Sequence, residues 1–208
     1  MPGARIASGE QVTPQTLERE DLTFCRRASA NPELRYPLRT SLRSRGQLEG
    51  EWDETEGEDS ADRFLICLDS EARSASNHAS GRSPRADGEA ADPGRPEENE
   101  TGRIGVVSIT DADWRRPELG YWLVPEVHGE GYGKEAVSLV IEYVFRTYAH
   151  PAVGAVAYED NDASRGLLES LGFSEEGRIR KDRFIDGEYA DTIHYGLLRE
   201  EWQERTRS

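Results

Sequence analysis

The chain has 208 residues, enough for one ordinary domain with a core and too few for two large ones. Acidic residues outnumber basic ones 41 to 26, and the formal net charge of −15 would repel nucleic acid, so no nucleic-acid partner is expected. Lys134 and Lys181 are the only lysines. A carboxylate-rich surface almost without lysine favours adaptation to high salt. Ordinary acidity and an acidic face for a cationic ligand are the alternatives.

The two cysteines, Cys25 and Cys67, lie among apolar residues without the CxxC or histidine spacing of a metal site. We expect them to be small buried hydrophobic residues and expect no bound metal. Apolar runs stay shorter than a membrane span, and residues 1–10 contain no apolar segment of the signal-peptide kind. A cytoplasmic protein without a membrane partner is therefore expected.

The first predicted elements follow an N-terminus, residues 1–10, that we expect to be flexible. Gln11 to Leu17 is predicted to form a short strand. Glu18 to Ala30 is predicted to be a helix because its acidic residues come first, where the helix dipole favours them. A further helix is expected around Ser41 to Trp52.

A long polar segment interrupts the chain from Asp69 to Thr101. It contains no Val, Ile, Leu, Met, Phe, Trp or Tyr, so nothing in it offsets the entropy of ordering. We predict a disordered acidic insertion at 69–101. Without it, the apolar segments Phe64 to Leu68 and Ile104 to Ile109 become neighbouring strands of a hairpin.

The elements after the insertion predict a mixed sheet. Ile104 to Thr110 and Leu119 to Val124 are rich in β-branched and aromatic residues, as strands are. Lys134 to Tyr148 repeats apolar residues at three- and four-residue spacing, which predicts an amphipathic helix. The remaining predicted elements are a buried strand at Ala152 to Ala157, a helix at Asp162 to Leu171 capped by Asn161 or Asp162 and closed by Gly172, and a hairpin of Glu176 to Asp182 with Tyr189 to Leu198 around Asp186-Gly187. Antiparallel strands followed by a helix crossover indicate an α/β fold of the α+β type.

A turn with glycines at 129, 131 and 133 leads from strand Leu119 to Val124 directly into the long helix. Glycines let backbone N–H groups approach a ligand, and a helix N-terminus favours an anion such as a phosphate. The P-loop spacing fails, because His128 stands five residues before Gly133 and Glu135 follows Lys134. The dinucleotide fingerprint fails because the spacing is Gly-x-Gly-x-Gly after an antiparallel meander. A tight turn without a ligand is the structural alternative.

Several short motifs follow one another in a family-like order. They are Gly120-Tyr121-Trp122-Leu123, Gly129-Glu130-Gly131-Tyr132-Gly133 with Glu135-Ala136, Asn161-Asp162-Ala163-Ser164-Arg165, Leu171-Gly172-Phe173 with Glu176-Gly177, and finally Asp191 and Glu201-Trp202. Together they resemble the RimJ/RimL-type branch of the GNAT acetyltransferases, strongly from Pro117 to Trp202 and more weakly back to Gln11. The resemblance implies the GNAT fold: one domain at 11–202 with a mixed, mostly antiparallel sheet splayed into a V and helices on both sides. Residues 203–208 would then be a flexible C-terminus.

The resemblance also implies a cofactor site for acetyl-CoA, without a metal. The pantetheine arm would enter between strands Leu119 to Val124 and Ala152 to Ala157. The amides near Leu123 and Val124 would hold the pantetheine and the thioester carbonyl, and glycine-turn amides would hold the pyrophosphate. The implied cofactor-binding residues are Leu123, Val124, His128, Gly129, Gly131, Tyr132, Gly133, Lys134, Asn161 and Ser164. For Asn161 the alternative is a plain helix cap, and for His128 it is a plain loop histidine.

The candidate catalytic residues are Glu118 and Ser164. By the resemblance, Glu118 would be the general base for an amine that is often protonated at neutral pH. Its alternative is a solvated glutamate at a strand end. Many GNAT enzymes carry a tyrosine acid where this chain has Leu168. Ser164 would instead donate a hydrogen bond to the thiolate, or simply cap or pack in its helix.

The expected reaction moves an acetyl group from acetyl-CoA to a primary amine. The acceptor would be a protein N-terminal α-amine or a small amine, and the acidic surface favours a cationic one. The protein would act as a monomer or homodimer. A non-catalytic acyl-CoA-binding module is the rival function, favoured by the missing tyrosine, and a nucleotide-binding regulator is disfavoured by the failed fingerprints.

Overall fold

The computed structural model describes residues 3–55, 61–69, 102–113, 115–185 and 187–207. Within them, seven strands form one sheet in the order β1-β2-β3-β4-β5-β7-β6. The strands are β1 (Val12–Thr16), β2 (Ala61–Leu68), β3 (Arg103–Thr110), β4 (Glu118–Leu123), β5 (Ala152–Tyr158), β6 (Ser174–Ile185) and β7 (Glu188–Leu198). Only the β4–β5 pair is parallel among these neighbours. The predicted mixed, mostly antiparallel sheet is confirmed.

Helices cover both faces of this sheet. They are α1 (Leu22–Ala30), α2 (Pro32–Arg35), α3 (Arg45–Thr55), α4 (Tyr132–Thr147), α5 (Asp162–Leu171) and α6 (Arg199–Arg207). On β4, Trp122 stacks against Phe24 of α1, with ring centroids 5.6 Å apart. The preceding residue, Tyr121, contacts Ser164 of α5. Because side chains alternate along a strand, α1 and α5 lie on opposite faces.

The long helix α4 anchors the core beneath β3 and β4. Its predicted apolar stripe is confirmed, since Val137, Val140 and Val144 are completely buried. Its C-terminal carbonyl groups accept hydrogen bonds from Arg199, which also reaches the carbonyl oxygen of His150 at 2.7 and 2.9 Å. One arginine therefore satisfies carbonyl groups that a helix end leaves unpaired, and it fixes the end of β7 to α4.

The predicted hairpin across the polar segment is confirmed at its base. Strands β2 and β3 pair antiparallel, with Phe64 opposite Val107. The Leu68 N–H donates to the Gly102 carbonyl at 2.6 Å. Asp69 is described, and its N–H donates to the Gln11 carbonyl at 2.9 Å. The rest of the predicted disordered insertion lies outside the described residues.

Both ends of the described chain contact the rest of the domain. Residues 4–9 run beside β1, where the Thr16 N–H donates to Ala4 at 2.8 Å and the Ile6 N–H donates to Pro14 at 3.1 Å. At the other end, helix α6 continues to Arg207. Its buried Trp202 donates to Glu142 of α4 at 3.2 Å. Backbone hydrogen bonds therefore connect residues 4–9 to β1, and Trp202 connects the start of α6 to α4. The flexibility of residues 1–10 and 203–208 stays a prediction.

Candidate active site

The sheet opens between its two parallel strands. Strand β4 pairs with β3 at six positions but with β5 at two, Glu118 with Gly154 and Leu119 with Ala155. Beyond Leu119 the two strands separate, and the split opens toward Leu123. Backbone groups along such a split need a partner, because leaving buried N–H and C=O groups unpaired is costly. The split therefore has the character of a binding cleft.

The direction of the β4 amides decides which of them can serve the cleft. The Val124 N–H donates to the Ile104 carbonyl of β3 at 2.7 Å. Hydrogen-bonding direction alternates along an antiparallel strand, so the Leu123 amide faces the split. The Val124 N–H therefore already has a partner within the sheet, whereas the Leu123 N–H is directed at the split. The predicted contacts of these two residues with a ligand stay predictions.

His128 closes the start of the glycine turn. Its Nε2 lies 2.9 Å from the Leu123 carbonyl oxygen. A carbonyl oxygen only accepts, so this ring nitrogen carries the hydrogen and donates. His128 thus ties the turn to the end of β4. A phosphate contact by His128 stays a prediction, and it would have to use the other ring nitrogen, Nδ1.

The glycine turn forms an open cradle at the start of α4. Gly129 and Gly131 have φ angles of +86° and +88°, the left-handed region that favours glycine, and a Cβ on either would meet no atom within 4 Å. Gly131 is the N-terminal cap, and the first N–H groups that follow it lack carbonyl partners within the helix. Gly133 faces inward, where a Cβ would lie 3.5 Å from side chains of Leu123 and Leu167. These features suit a phosphate or pyrophosphate.

Two charged residues of opposite sign, Lys134 and Glu135, lie beside the cradle. They line a cavity of about 410 Å³ beside Gly131. Oε1 of Glu135 accepts hydrogen bonds from the backbone N–H groups of Gln11 at 3.0 Å and Val12 at 3.5 Å. Its negative charge is therefore engaged by β1, and Lys134 adds positive charge near the helix N-terminus.

Helix α5 supplies the predicted asparagine and serine. Oδ1 of Asn161 accepts from the Ser164 N–H at 3.1 Å, and its Nδ2 donates to the Pro37 carbonyl at 3.3 Å. The helix-cap alternative is therefore realised, and a pantetheine contact stays a prediction. The Ser164 hydroxyl lies 2.9 Å from the phenol of Tyr121.

Tyr121 is a site residue that the sequence reasoning did not single out. It lies on the face of β4 that meets α5, beyond the two positions where β4 and β5 pair. Burial raises its pKa to about 12. The available signal was its place two residues before Leu123 within the glycine-aromatic motif, which puts both side chains on one face.

Glu118 lies at the closed end of the split, on the opposite sheet face from Tyr121. Strand alternation places it with Trp122 on the α1 side. The two predicted catalytic residues, Glu118 and Ser164, are therefore on different faces of the sheet.

His194 of β7 shares the face of Glu118, because it pairs with Val156, two residues along β5 from Gly154. Its Nε2 is buried and has no hydrogen-bond partner among the described residues. A single histidine among the apolar residues of β7 carries no motif that could have revealed it.

Other kinds of site are not found in the part of the chain that the structure describes. Leu168, at the position of the missing tyrosine, is completely buried in the core. No group of three or more His, Cys, Asp or Glu residues there is arranged for a metal ion. None of the described helices is long and apolar enough to cross a membrane.

A split parallel strand pair with a glycine cradle at its open end defines a class of site that can receive an elongated anionic ligand. The family model of the acetyltransferase (GNAT) domain matches residues 16–174 of this chain. The chain belongs to this family of acetyltransferases, and the predicted GNAT fold is confirmed.

Individual relatives agree with this assignment. The chain is 33% identical over 108 residues to the SPbeta prophage-derived uncharacterized N-acetyltransferase YokL of Bacillus subtilis, a match that covers 51% of this chain and 61% of the relative. It is 24% identical over 198 residues to spermidine N(1)-acetyltransferase of Escherichia coli, covering 95% and 91%. A structure of spermidine N-acetyltransferase from Vibrio cholerae with CoA and spermine shares the fold, with a TM-score of 0.74, 20% identity and coverage of 94% of this chain and 99% of that one.

Proposed function

We propose that this protein transfers the acetyl group of acetyl-CoA to the primary amine of a small cationic acceptor. The observation that carries the proposal is the two-position pairing of β4 and β5 beside a left-handed glycine cradle. The N–H groups of Gly129, Gly131, Gly133 and Lys134 would hold the pyrophosphate. The Leu123 amide would receive the arm in the split.

The transfer needs a neutral amine and a stabilised leaving group. The amine nitrogen bonds to the acetyl carbon, the carbon–sulfur bond breaks with its electron pair on sulfur, and the surplus amine proton goes to a base. Glu118 is the candidate base, directly or through water, and His194 on the same face is the second candidate. Ser164 would donate a hydrogen bond toward the sulfur from the other side.

A small cationic acceptor is supported from two directions. The relatives from Escherichia coli and Vibrio cholerae are named for spermidine, a polyamine. The formal net charge of −15 attracts cations. A protein N-terminal α-amine is the alternative acceptor, since the motifs also resemble the RimJ/RimL branch.

Two assays test the function. Calorimetry measures binding of acetyl-CoA, with ATP and NAD as controls, and thiol release is then measured with spermidine and with peptides that carry a free N-terminus. We expect CoA binding and faster release with spermidine. Tight CoA binding without acetylation of any amine would instead identify a non-catalytic acyl-CoA-binding module.

The base is assigned by substitution. Glu118→Gln should lower kcat and shift the pH profile, whereas Glu188→Gln, at the start of β7 and exposed, should change neither. If His194→Gln alone produces the loss, the base is His194.

We also infer that the protein works in a salt-rich cytoplasm, because screening weakens the self-repulsion of its negative charge. Its melting temperature should rise from dilute buffer to molar KCl. Equal melting temperatures would contradict this inference.

A further inference from the structure

We propose that Tyr121 is a positioning residue for acetyl transfer: its phenol donates to the Ser164 hydroxyl and aims the serine's own hydrogen at the departing sulfur. This inference rests on the proposed function. Ser164 keeps its proton and donates only a hydrogen bond, so the electron pair of the broken carbon–sulfur bond stays on sulfur. Tyr121 acts through Ser164.

The contacts of Ser164 hold it at three atoms. Its N–H donates to Oδ1 of Asn161 at 3.1 Å. The Tyr121 hydroxyl lies 2.9 Å from its Oγ and 3.1 Å from its carbonyl oxygen. Among the described residues the phenol hydrogen can reach either of these oxygens, and both belong to Ser164. When the hydrogen goes to Oγ, the serine's own hydrogen is free to point into the split. A serine fixed in this way loses little further freedom when a ligand enters the split.

The position of Tyr121 explains how the serine can work without the usual tyrosine. Leu168 fills that place and is completely buried, so helix α5 offers no phenol there. Tyr121 brings a phenol from β4 instead, at the point where β4 and β5 have separated. A hydroxyl that accepts a hydrogen bond becomes a better donor, since hydrogen bonds in a chain polarise one another.

Burial supports a constant donor role. The pKa of Tyr121 is raised to about 12 by burial, so the phenol keeps its proton throughout the neutral range. Among the described residues its hydrogen bonds go to Ser164 and to no Asp or Glu side chain. A purely structural role is the competing explanation, in which Tyr121 only ties β4 to α5.

The first experiment measures a property of bound CoA rather than turnover. The pKa of the CoA thiol in the complex is followed by the ultraviolet absorbance of the thiolate, for the parent, Tyr121→Phe, Ser164→Ala and the double variant. Tyr143→Phe is the matched control, because its phenol bonds to Asp62 at the far end of α4. We expect Tyr121→Phe and Ser164→Ala to raise the thiol pKa, the double variant to match Ser164→Ala, and the control to match the parent.

The second experiment measures transfer kinetics with the same proteins. Tyr121→Phe should lower kcat roughly tenfold, as expected for one weakened hydrogen bond, with the KM for acetyl-CoA unchanged. It should have no further effect in the Ser164→Ala background. A structural role would instead raise KM in both backgrounds, and that result, or a parental thiol pKa in Tyr121→Phe, would overturn the proposal.

Failure of the proposed function would look different. A parent that binds CoA but acetylates no amine refutes the function while the thiol pKa still decides the role of Tyr121. A parent that does not bind CoA overturns both. If the parent acetylates an amine and Tyr121→Phe does so at the same rate, this inference alone is overturned.

Discussion

Strand β4 has two edges that are built differently. Toward β3 it pairs at six positions, and at its end the Val124 N–H adds one more hydrogen bond. Toward β5 it pairs at two. One edge stabilises the sheet, whereas the other leaves backbone groups for a ligand. Changes at the closed edge should therefore affect folding, and changes at the open edge should affect binding.

The largest expected effect is at the closed edge. A Cβ on Gly105 of β3 would collide with the Trp122 carbonyl oxygen and lie 2.9 Å from the Leu123 Cα. Since the obstacle is backbone, Gly105→Ala should lower the free energy of unfolding by about 3 kcal/mol, the upper end for overpacking. Denaturant melts measure this loss.

Gly120→Ala on β4 is the matched control. Its added methyl group would meet only the rotatable hydroxyl of Ser108, at 2.9 Å. A similar loss for both variants would show that the close backbone approach at Gly105 is not the cause of the destabilisation.

The pH dependence of unfolding tests the burial of Tyr121. Its folded pKa of about 12 lies above the value of about 10 for a tyrosine in an unfolded chain. The unfolded chain therefore releases this proton first, and stability falls as pH rises from about 10 to about 12. The loss should reach about 2 to 3 kcal/mol.

The control is Tyr121→Phe, which lacks the phenol and should not show this loss of stability between about pH 10 and about pH 12. Tyr143 and Tyr148 also have raised pKa values, but they are common to both proteins and cancel in the difference. Urea melts between about pH 8 and about pH 12 give the slope of the free energy of unfolding against pH for each protein. Identical slopes would mean that the Tyr121 phenol is exposed to solvent.

The open edge is tested at the glycine cradle. Gly131→Val strains a left-handed residue and places a branched side chain where an anion would approach. Affinity for acetyl-CoA should fall at least tenfold, about 1.4 kcal/mol. Calorimetry measures it.

Gly187→Val provides the matched strain, because Gly187 has the same φ of +88° and equally open surroundings in the β6–β7 turn. Its acetyl-CoA affinity should stay at the parental value. Equal losses in the two variants would assign the effect to folding rather than to a ligand at Gly131.

The smallest effect is expected from the polar insertion. We predict that replacing residues 71–100 by a short Gly-Ser turn leaves the melting temperature almost unchanged, because the Leu68 N–H and Gly102 carbonyl already meet at the hairpin base. A cooperative transition lowered by many degrees would show that the insertion supports the fold.

The sequence predicted the elements well wherever burial imposes a period. The stripe of α4 and the strands around Phe64 and Val107 follow directly from apolar spacing. Gly172 ends α5 at a φ of +95°, as its place after the helix predicted.

Contacts between distant segments were less accessible to sequence reasoning. The direction of the Val124 amide depends on its register with Ile104, and the Tyr121–Ser164 contact joins residues 43 positions apart. The segment at 4–9 has no apolar period, and it is joined to β1 by backbone hydrogen bonds and by the Thr16 hydroxyl, which accepts from the Ala4 N–H. Such features depend on tertiary geometry, which local patterns do not encode.

Through Glu135, the attachment of strand β1 affects the affinity of the cradle for an anion. Its carboxylate accepts from the N–H groups of Gln11 and Val12 while lying one turn from the cradle at Gly131. If β1 detached, that negative charge would be released beside the anion site and would weaken anion binding. Linkage is reciprocal, so a bound anion must resist detachment of β1 by the same free energy. Slower amide exchange at Gln11 and Val12 on ligand binding would report this mutual reinforcement, and unchanged exchange would exclude it.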